Sequence, residues 1–228
     1  MIDYVISIPA QPSLAVLGTD ARFPVRRIYC IGRNYAAHSI EMGHDPDKEP
    51  PFFFQKNGDN IDDSGEFPYP PQSNNVHFEV EMVVALQSGG SNIAKKDALQ
   101  HVFGYGIGLD MTRRDLQGEM KKMGRPWEIG KAFERSAPMG PLVPVAQIGH
   151  IDQGNISLAV NGQIFQDGDL NQMIWKVPEQ ISYLSEYYDI AAGDLIMSGT
   201  PAGVGSIQKA DVMKCCVEGL PVLIVEVV

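Results

Sequence analysis

The sequence predicts an α+β fold that is mainly β: a mixed roll of short strands with few short helices. Runs of β-branched and aromatic residues recur along the 228-residue chain, separated by turns rich in Gly, Pro, Asn and Asp. Strands and helices do not alternate in the regular way that builds a parallel α/β sheet. The length suits a single domain, residues 26–228, preceded by a short N-terminal segment, residues 1–25.

The predicted strands are short apolar runs that end at turn or charged residues. The first run ends at Gly32, and the second ends on the charge of Lys56. Asn161-Gly162 separates two further runs and favours a type I′ hairpin turn, because both residues tolerate positive φ. The predicted strands are 27–32, 52–56, 76–86, 105–110, 142–144, 156–160, 163–165, 195–200 and 220–228.

A smaller part of the chain has helical character. Gly43 ends a short pattern over residues 34–43, and the polar, Pro-rich loop after it makes this helix a candidate mobile lid. The best amphipathic pattern places Ile181, Leu184 and Tyr188 on one stripe. The predicted helices are 34–43, 93–102, 111–122 and 177–188; residues 1–25 and 57–75 are predicted to be irregular.

The composition excludes several classes of partner. A net charge of −10 at pH 7 argues against nucleic acids and anionic membranes. The apolar stretches are too short to span a bilayer, and the N-terminus lacks the basic start of a signal peptide. Cys30, Cys215 and Cys216 suit neither a disulfide framework nor a metal-binding C-x-x-C motif. We therefore expect a cytoplasmic protein.

Three acidic residues lie where a divalent cation could bind them. Glu79 and Glu81 are two apart in a predicted strand, so they project from the same face, and Asp110 ends another apolar strand. Neighbouring carboxylates in apolar surroundings need compensation, and oxygen-only ligands favour Mg²⁺, Mn²⁺ or Ca²⁺ over zinc. The alternative is that Glu79 and Glu81 form the solvent face of an edge strand. The strand continues through residues 83–86 with apolar side chains on both faces, which argues against that alternative.

Other candidates for chemistry are weaker by themselves. His38 and Glu41 share a helix face and could form an acid/base pair, or only an exposed surface pair. Lys131 could stabilise an oxyanion, or it could extend along the surface. The Gly-rich run 198–205 could offer backbone N–H groups to an anion, or be an ordinary turn. His77 could be a metal ligand, a supporting partner of a ligand or a satisfied histidine, and we favour the last two.

These segments together resemble the fumarylacetoacetate hydrolase family, in particular its acylpyruvase and fumarylpyruvate hydrolase branch. The resemblance covers nearly all of the chain from about residue 26 onward, and its motifs occur in the same order and spacing. A second histidine that the family often has before the first glutamate is replaced here by Phe78. The matching motifs are Gly32-Arg33-Asn34-Tyr35 with His38 and Glu41, Pro51 to Lys56, His77-x-Glu79-x-Glu81, Leu109 to Thr112 with Arg114-Asp115, Gly130-Lys131, and Ser198 to Gly205.

The resemblance implies a metal-dependent hydrolase that cleaves a C–C bond in a 2,4-diketo acid, foremost fumarylpyruvate in gentisate degradation. It implies that Glu79, Glu81 and Asp110 hold Mg²⁺ or Mn²⁺, with Ca²⁺ as a further candidate. His38, oriented by Glu41, would activate water, and Lys131 would stabilise the oxyanion. The implied substrate contacts are Lys56, Arg114, Gln117 and Thr200. The small anionic substrate would be the partner, and relatives in the family imply a homodimer.

Two alternatives stay open at this point. The same metal site could serve oxaloacetate decarboxylation or the tautomerisation of a 2-oxo acid, because these reactions also pass through an enolate. A catalytically silent ligand-binding relative is a third hypothesis, but it would be expected to lose a metal carboxylate or the pair His38 and Glu41.

Overall fold

The computed structural model describes residues 4–37 and 51–228. Within these residues the strands are short, and we number them in chain order. They are β1 Ser13–Ala15, β2 Arg22–Pro24, β3 Arg27–Gly32, β4 Phe52–Asn57, β5 Ile61–Asp62, β6 Glu66–Phe67, β7 Val76–Phe78, β8 Val80–Leu86, β9 Val102–Leu109, β10 Thr112–Arg113, β11 Ala137–Pro138, β12 Val143–Pro144, β13 Asn155–Val160, β14 Gln163–Asp169, β15 Leu195–Met197, β16 Gly205–Ser206, β17 Val212–Val217 and β18 Leu223–Val227.

The helices are short, as predicted. The α-helices that are described over their whole length are α1 Arg114–Lys122, α2 Glu128–Lys131, α3 Val145–Ile148 and α4 Val177–Tyr187, and 3₁₀ turns cover Gly58–Asn60, Lys95–His101 and Leu170–Gln172. Helix α4 buries Ile181 and Leu184, which are on the stripe that the sequence predicts. None of these helices in the described residues is long and apolar enough to cross a membrane.

Two mixed sheets form the body of the described structure. Sheet I has the order β12-β9-β8-β15-β3-β4, and its β15 and β3 run parallel while the other pairs are antiparallel. Sheet II has the order β14-β13-β17-β18-β6, with only the β18–β6 pair parallel within the described residues. The predicted α+β class with mixed sheets and few helices is confirmed.

The main hydrophobic core lies between the two sheets. It combines Met82 and Ile107 of sheet I with Leu158 and Val225 of sheet II. Strand β8 is buried at all seven positions, because sheet I is covered on both faces. A second cluster on the other face of sheet I includes Leu14 and other apolar residues of the N-terminal segment.

Three local predictions were incomplete. Residues 1–25 contain the strand pair β1–β2, and the segment predicted as a long loop over 57–75 contains β5 and β6. The single strand predicted over 76–86 is two strands, since β7 pairs with β10 and β16 whereas β8 belongs to sheet I. The break falls at Glu79. The predicted hairpin turn is present, with φ of 50° at Asn161 and 84° at Gly162.

Candidate active site

The three predicted carboxylates meet at one edge of sheet I. Strands β8 and β9 are antiparallel with Val80 opposite Leu109, so Glu79 precedes one strand where Asp110 follows the other. The Asp110 N–H donates to the Glu79 carbonyl at 2.9 Å and fixes this register. Ligand oxygens of Glu79, Glu81 and Asp110 all lie within 4.8 Å of one another.

These carboxylates are removed from solvent. The exposed fractions are 5% for Glu79, 2% for Glu81 and 0% for Asp110. The alternative that Glu79 and Glu81 form a wet strand face is therefore excluded. Three buried carboxylates in one place require positive charge, because an uncompensated buried charge is very costly.

Three cations from different parts of the chain supply some of that charge. Lys131 Nζ, at the end of α2, lies 2.9 Å from Glu79 Oε2, 2.6 Å from Asp110 Oδ2 and 2.7 Å from Thr112 Oγ1. Lys56 Nζ lies 2.9 Å from Asp110 Oδ1. Arg114 Nη2, from the first residue of α1, pairs with Glu79 Oε1. These ion pairs leave Glu81 with the weakest cationic support of the three acids.

The pKa values follow from this distribution of charge. Burial, followed by the Asp110 and Glu79 carboxylates, raises the pKa of Glu81 well above its usual range. Burial alone would lower the pKa of Lys131, but Asp110 and Glu79 more than reverse this, and the pKa is raised. Lys131 is therefore held as an ammonium, while the charged form of Glu81 lacks a sufficient counter-charge.

The Gly-rich segment after β15 reaches the same cluster. Because β15 is antiparallel to β8, the chain beyond Met197 returns toward Glu81, and the Gly199 N–H donates to Glu81 Oε2 at 2.8 Å. Gly199 has φ of +101°, and a Cβ there would lie 2.6 Å from the Asn34 Cβ. Only glycine fits this position. The anion that this turn binds is thus a carboxylate of the chain itself.

Aromatic side chains form one wall of the cleft above the carboxylates. The Trp127 ring lies edge-on to Phe52 with centroids 5.3 Å apart, and it contacts Phe54 at 5.9 Å. Lys131 Nζ lies 4.8 Å from the centre of the Phe54 ring. The cleft is lined by Ile31, Gly32, Arg33, Phe52, Phe54, Glu79, Glu81, Asp110, Arg114, Gln117, Lys121, Trp127, Lys131 and Thr200. The cleft therefore has an apolar wall and a charged floor.

Comparison with known proteins identifies the family. Residues 27–228 match the family described as fumarylacetoacetate (FAA) hydrolase, C-terminal. The chain belongs to this family. The resemblance inferred from the sequence motifs is confirmed.

Similar proteins within the family include enzymes named for two kinds of activity. A crystal structure of fumarylpyruvate hydrolase from Pseudomonas aeruginosa, in complex with Mn²⁺ and pyruvate, has 50% sequence identity and a TM-score of 0.98, with 99% of each chain covered. Fumarylpyruvate hydrolase from Ralstonia sp. is 41% identical over 78% of this chain and 94% of its own. Oxaloacetate tautomerase from Escherichia coli is 36% identical over 86% of this chain and 90% of its own.

The structure brings most of the residues predicted from the family resemblance into one site. Arg114, Gln117 and Thr200 line the cleft beside the carboxylates and Lys131. Lys56 lies behind Asp110, where its ammonium also donates to the Met111 carbonyl at 3.1 Å and to the Lys131 carbonyl. The predicted pair His38 and Glu41 lies outside the described residues.

Other cleft residues were not predicted as part of the site. Phe52 belongs to a recognised motif, and Arg33 to another, but the motifs alone assign them no role. Trp127 precedes α2 and gave no signal in the sequence. His77 Nε2 donates a hydrogen bond to Asn75 Oδ1 at 2.9 Å, and His77 is not among the residues whose ligand atoms converge, which are Glu79, Glu81 and Asp110. Phe78 points away from the carboxylates and packs edge-on against Phe165 at 5.7 Å, so its replacement of a histidine alters the packing behind the site.

The donor set of the site fits a divalent cation. Glu79, Glu81 and Asp110 offer only oxygen ligands, which suit Mg²⁺, Mn²⁺ and Ca²⁺. Three carboxylates could leave the remaining coordination positions for substrate or water. The raised pKa of Glu81 indicates that the site lacks positive charge at that residue. A divalent cation bound by the three carboxylates would provide this positive charge.

Proposed function

We propose that this protein hydrolyses a C–C bond in a 2,4-diketo acid, most specifically fumarylpyruvate, to give fumarate and pyruvate. The observation that carries the proposal is the cluster of Glu79, Glu81 and Asp110 at the floor of a cleft that also presents Arg114 and Lys131. The similarity to fumarylpyruvate hydrolases supports the same substrate. Gentisate degradation is the pathway, and a homodimer the assembly, that the family resemblance suggests.

The proposed cofactor is a divalent cation, Mg²⁺ or Mn²⁺, with Ca²⁺ as a further candidate. Glu79, Glu81 and Asp110 would hold it. When bound, it supplies a Lewis acid for the 1-carboxylate and 2-oxo oxygens of the substrate. The Mn²⁺ and pyruvate in the Pseudomonas aeruginosa enzyme support this assignment.

The cleft residues have roles that follow from their charges. Arg114 provides donors for an anionic substrate, and Gln117 and Thr200 provide neutral polar contacts. Lys131 is kept protonated by the acids around it, and by exchanging one of its three hydrogen bonds it can donate to the oxyanion that forms on the distal carbonyl. With a divalent cation bound, the metal together with Lys56, Arg114 and Lys131 would outweigh the three carboxylates, so that a dianionic substrate could enter a chain of net charge −10.

The hydrolytic step needs a base to activate water. We assign it to His38, oriented by Glu41, as the motif implies. The base takes a proton from the water molecule while the water oxygen attacks the C4 carbonyl carbon. The C3–C4 bond then breaks, C4 becomes the carboxyl carbon of fumarate, and the pair of electrons stays with C3 of the pyruvate enolate. A proton from Glu41 or water returns to C3 and completes pyruvate.

A second candidate is decarboxylation or tautomerisation of oxaloacetate on the same site. The observation that favours it is the 36% identity to an oxaloacetate tautomerase over most of both chains. These reactions also need a stabilised enolate, but they need no water activated for attack on a carbonyl. The residues that distinguish the two candidates are therefore His38 and Glu41.

The deciding experiment follows the enol absorbance of fumarylpyruvate with purified protein, and measures pyruvate with lactate dehydrogenase. We expect metal-dependent loss of absorbance with one pyruvate per substrate consumed, and no turnover by the His38→Ala variant. Pyruvate from oxaloacetate above the spontaneous rate, without turnover of fumarylpyruvate, would assign the second candidate instead. Activity that persists in EDTA would remove the metal from the mechanism.

A further inference from the structure

Gln166 connects sheet II to the active site, although it lies on a strand of the hairpin β13–β14. Its neighbours Phe165 and Asp167 are exposed, whereas Gln166 has an exposed fraction of 0%. A fully buried amide needs partners for its oxygen and its nitrogen. The partners that it finds all belong to segments that build the candidate active site.

Three hydrogen bonds define the orientation of this amide. Gln166 Oε1 accepts from the Val80 N–H at 3.0 Å, and Nε2 donates to the Pro201 carbonyl at 2.8 Å and to Thr200 Oγ1 at 2.7 Å. A backbone N–H can only donate and a carbonyl can only accept, so the flipped amide would face two mismatches. The direction of the bond to Thr200 is therefore fixed.

The fixed direction determines what the Thr200 hydroxyl can do. Its oxygen accepts from Gln166, and its own proton is then available for another acceptor. Among the described residues no acceptor takes this proton. Thr200 is buried to all but 3%, yet it lines the cleft with Arg114 and Lys131. A proton directed into that cleft suits an anionic oxygen of a bound ligand.

The segment that carries Thr200 is pressed against the same hairpin. Gly203 has φ of +93°, and a Cβ at this position would lie 2.0 Å from the Phe165 carbonyl oxygen. The backbones therefore approach closely on either side of the Gln166 amide. This contact limits how far Thr200 can move and keeps the hydrogen bond in place.

We propose that Gln166 is a positioning residue that fixes the Thr200 hydroxyl as a hydrogen-bond donor to a carboxylate oxygen of the bound 2-oxo acid. The inference rests on the proposed function, because it gives Thr200 a substrate to contact. Gln166 acts through Thr200 and does not itself line the cleft. Its contribution is to substrate binding, and so it should affect KM more than kcat.

A double-mutant cycle tests this coupling. We expect Gln166→Met and Thr200→Val each to raise KM for fumarylpyruvate about tenfold, the size expected for one hydrogen bond to a charged group. In the Thr200→Val background, Gln166→Met should add less than about twofold, because the hydroxyl that it orients is already gone. Gln163→Met on the same strand, at an exposed position, is the matched control and should leave KM unchanged.

Gln166→Glu provides an independent variant with nearly the same shape. An ionised carboxylate only accepts hydrogen bonds, so at a pH high enough to ionise this buried group the Thr200 hydroxyl would turn toward the new carboxylate and away from the cleft. KM should rise as in Gln166→Met. The affinity of the Mn²⁺-loaded protein for pyruvate, measured by titration calorimetry, should change in parallel.

Three outcomes would overturn the inference. Additive effects of Gln166→Met and Thr200→Val would show that the residues act separately. Loss of Mn²⁺ binding in Gln166→Met would show that Gln166 acts through Val80 and the carboxylates. An unchanged KM in both Gln166 variants would show that Gln166 has no positioning role. Failure of the parent protein to hydrolyse fumarylpyruvate would reject the proposed function alone, since the cycle can still be read from pyruvate affinity.

Discussion

Two glutamates in strands, one in each sheet, have opposite surroundings. Glu81 lies in β8, whose seven positions are all buried, and its neighbours Val80 and Met82 are apolar core residues. Glu226 lies in β18, where burial alternates, and its side chain faces solvent. The same residue type is a surface group in sheet II and a buried charge in sheet I.

The difference shows that the burial pattern of a strand predicts the role of a charged residue better than the residue type does. In an alternating strand, the polar face is simply solvated. In a strand buried on both faces, a carboxylate needs a hydrogen-bond donor or a cation. Glu81 accepts a hydrogen bond from the Gly199 N–H, but its two acidic neighbours increase its need for a cation. The predictions below compare buried charged residues of the candidate active site with exposed residues of the same type in sheet II.

The largest effect is expected when each glutamate is replaced by glutamine. Glu81→Gln should abolish turnover of fumarylpyruvate and weaken Mn²⁺ binding by more than about 100-fold, beyond the loss typical of a group that only supports a ligand. Glu226→Gln should retain the parent values. Calorimetric titration of Mn²⁺ and the pyruvate assay measure both. Tight Mn²⁺ binding by Glu81→Gln would remove Glu81 from the ligand set.

The buried Lys131 at the end of α2 and an exposed lysine of sheet II give the next contrast. Lys131→Met should lower kcat by about 10²–10³-fold, because one donor to a developing oxyanion is lost. Lys214→Met changes an exposed lysine of β17 and should leave kcat unchanged. Steady-state kinetics at saturating Mn²⁺ separate this effect from weaker metal binding. Equal kcat for the two variants would refute the assigned role of Lys131.

The smallest effect concerns stability without metal. Because burial and like charges raise the pKa of Glu81, folding favours its protonated form, and its contribution to stability falls as pH rises above about 4.3 toward neutral. Without metal at pH 8, Glu81→Gln should therefore be more stable than the parent, and this advantage should be smaller at pH 5. Urea unfolding in EDTA at pH 5 and pH 8 measures this, with Glu226→Gln as the control. An advantage at pH 8 no larger than at pH 5 would contradict the prediction.

The sequence predicted correctly those features that depend on residues close together in the chain. The turn at Asn161-Gly162 and the helix stripe of Ile181 and Leu184 depend on residues close in sequence, and both are present. The three carboxylates were found because acidic residues are conspicuous in strands that are otherwise apolar. The family motifs then placed Arg114 and Thr200, which no local pattern distinguishes.

The features that were missed depend on distant contacts. The apolar pattern is continuous from β7 to β8, and the break at Glu79 arises because β7 pairs with β10 and β16 outside sheet I. Gln166 gives no signal in the sequence, since a glutamine in a hairpin strand is usually exposed. Its burial depends on the segment around Pro201, which only the complete fold brings to it.

The hydrogen bond from Gly199 to Glu81 has a consequence for folding kinetics. It joins residues 118 apart in the chain, whereas the β13–β14 hairpin closes around a two-residue turn. Contacts of such long range form late, because the entropy of loop closure must be overcome first. The hairpin can form early, but high affinity for a cation requires that β15 has joined sheet I. A newly synthesised chain should therefore acquire its metal after folding, and metal should slow unfolding more than it accelerates refolding.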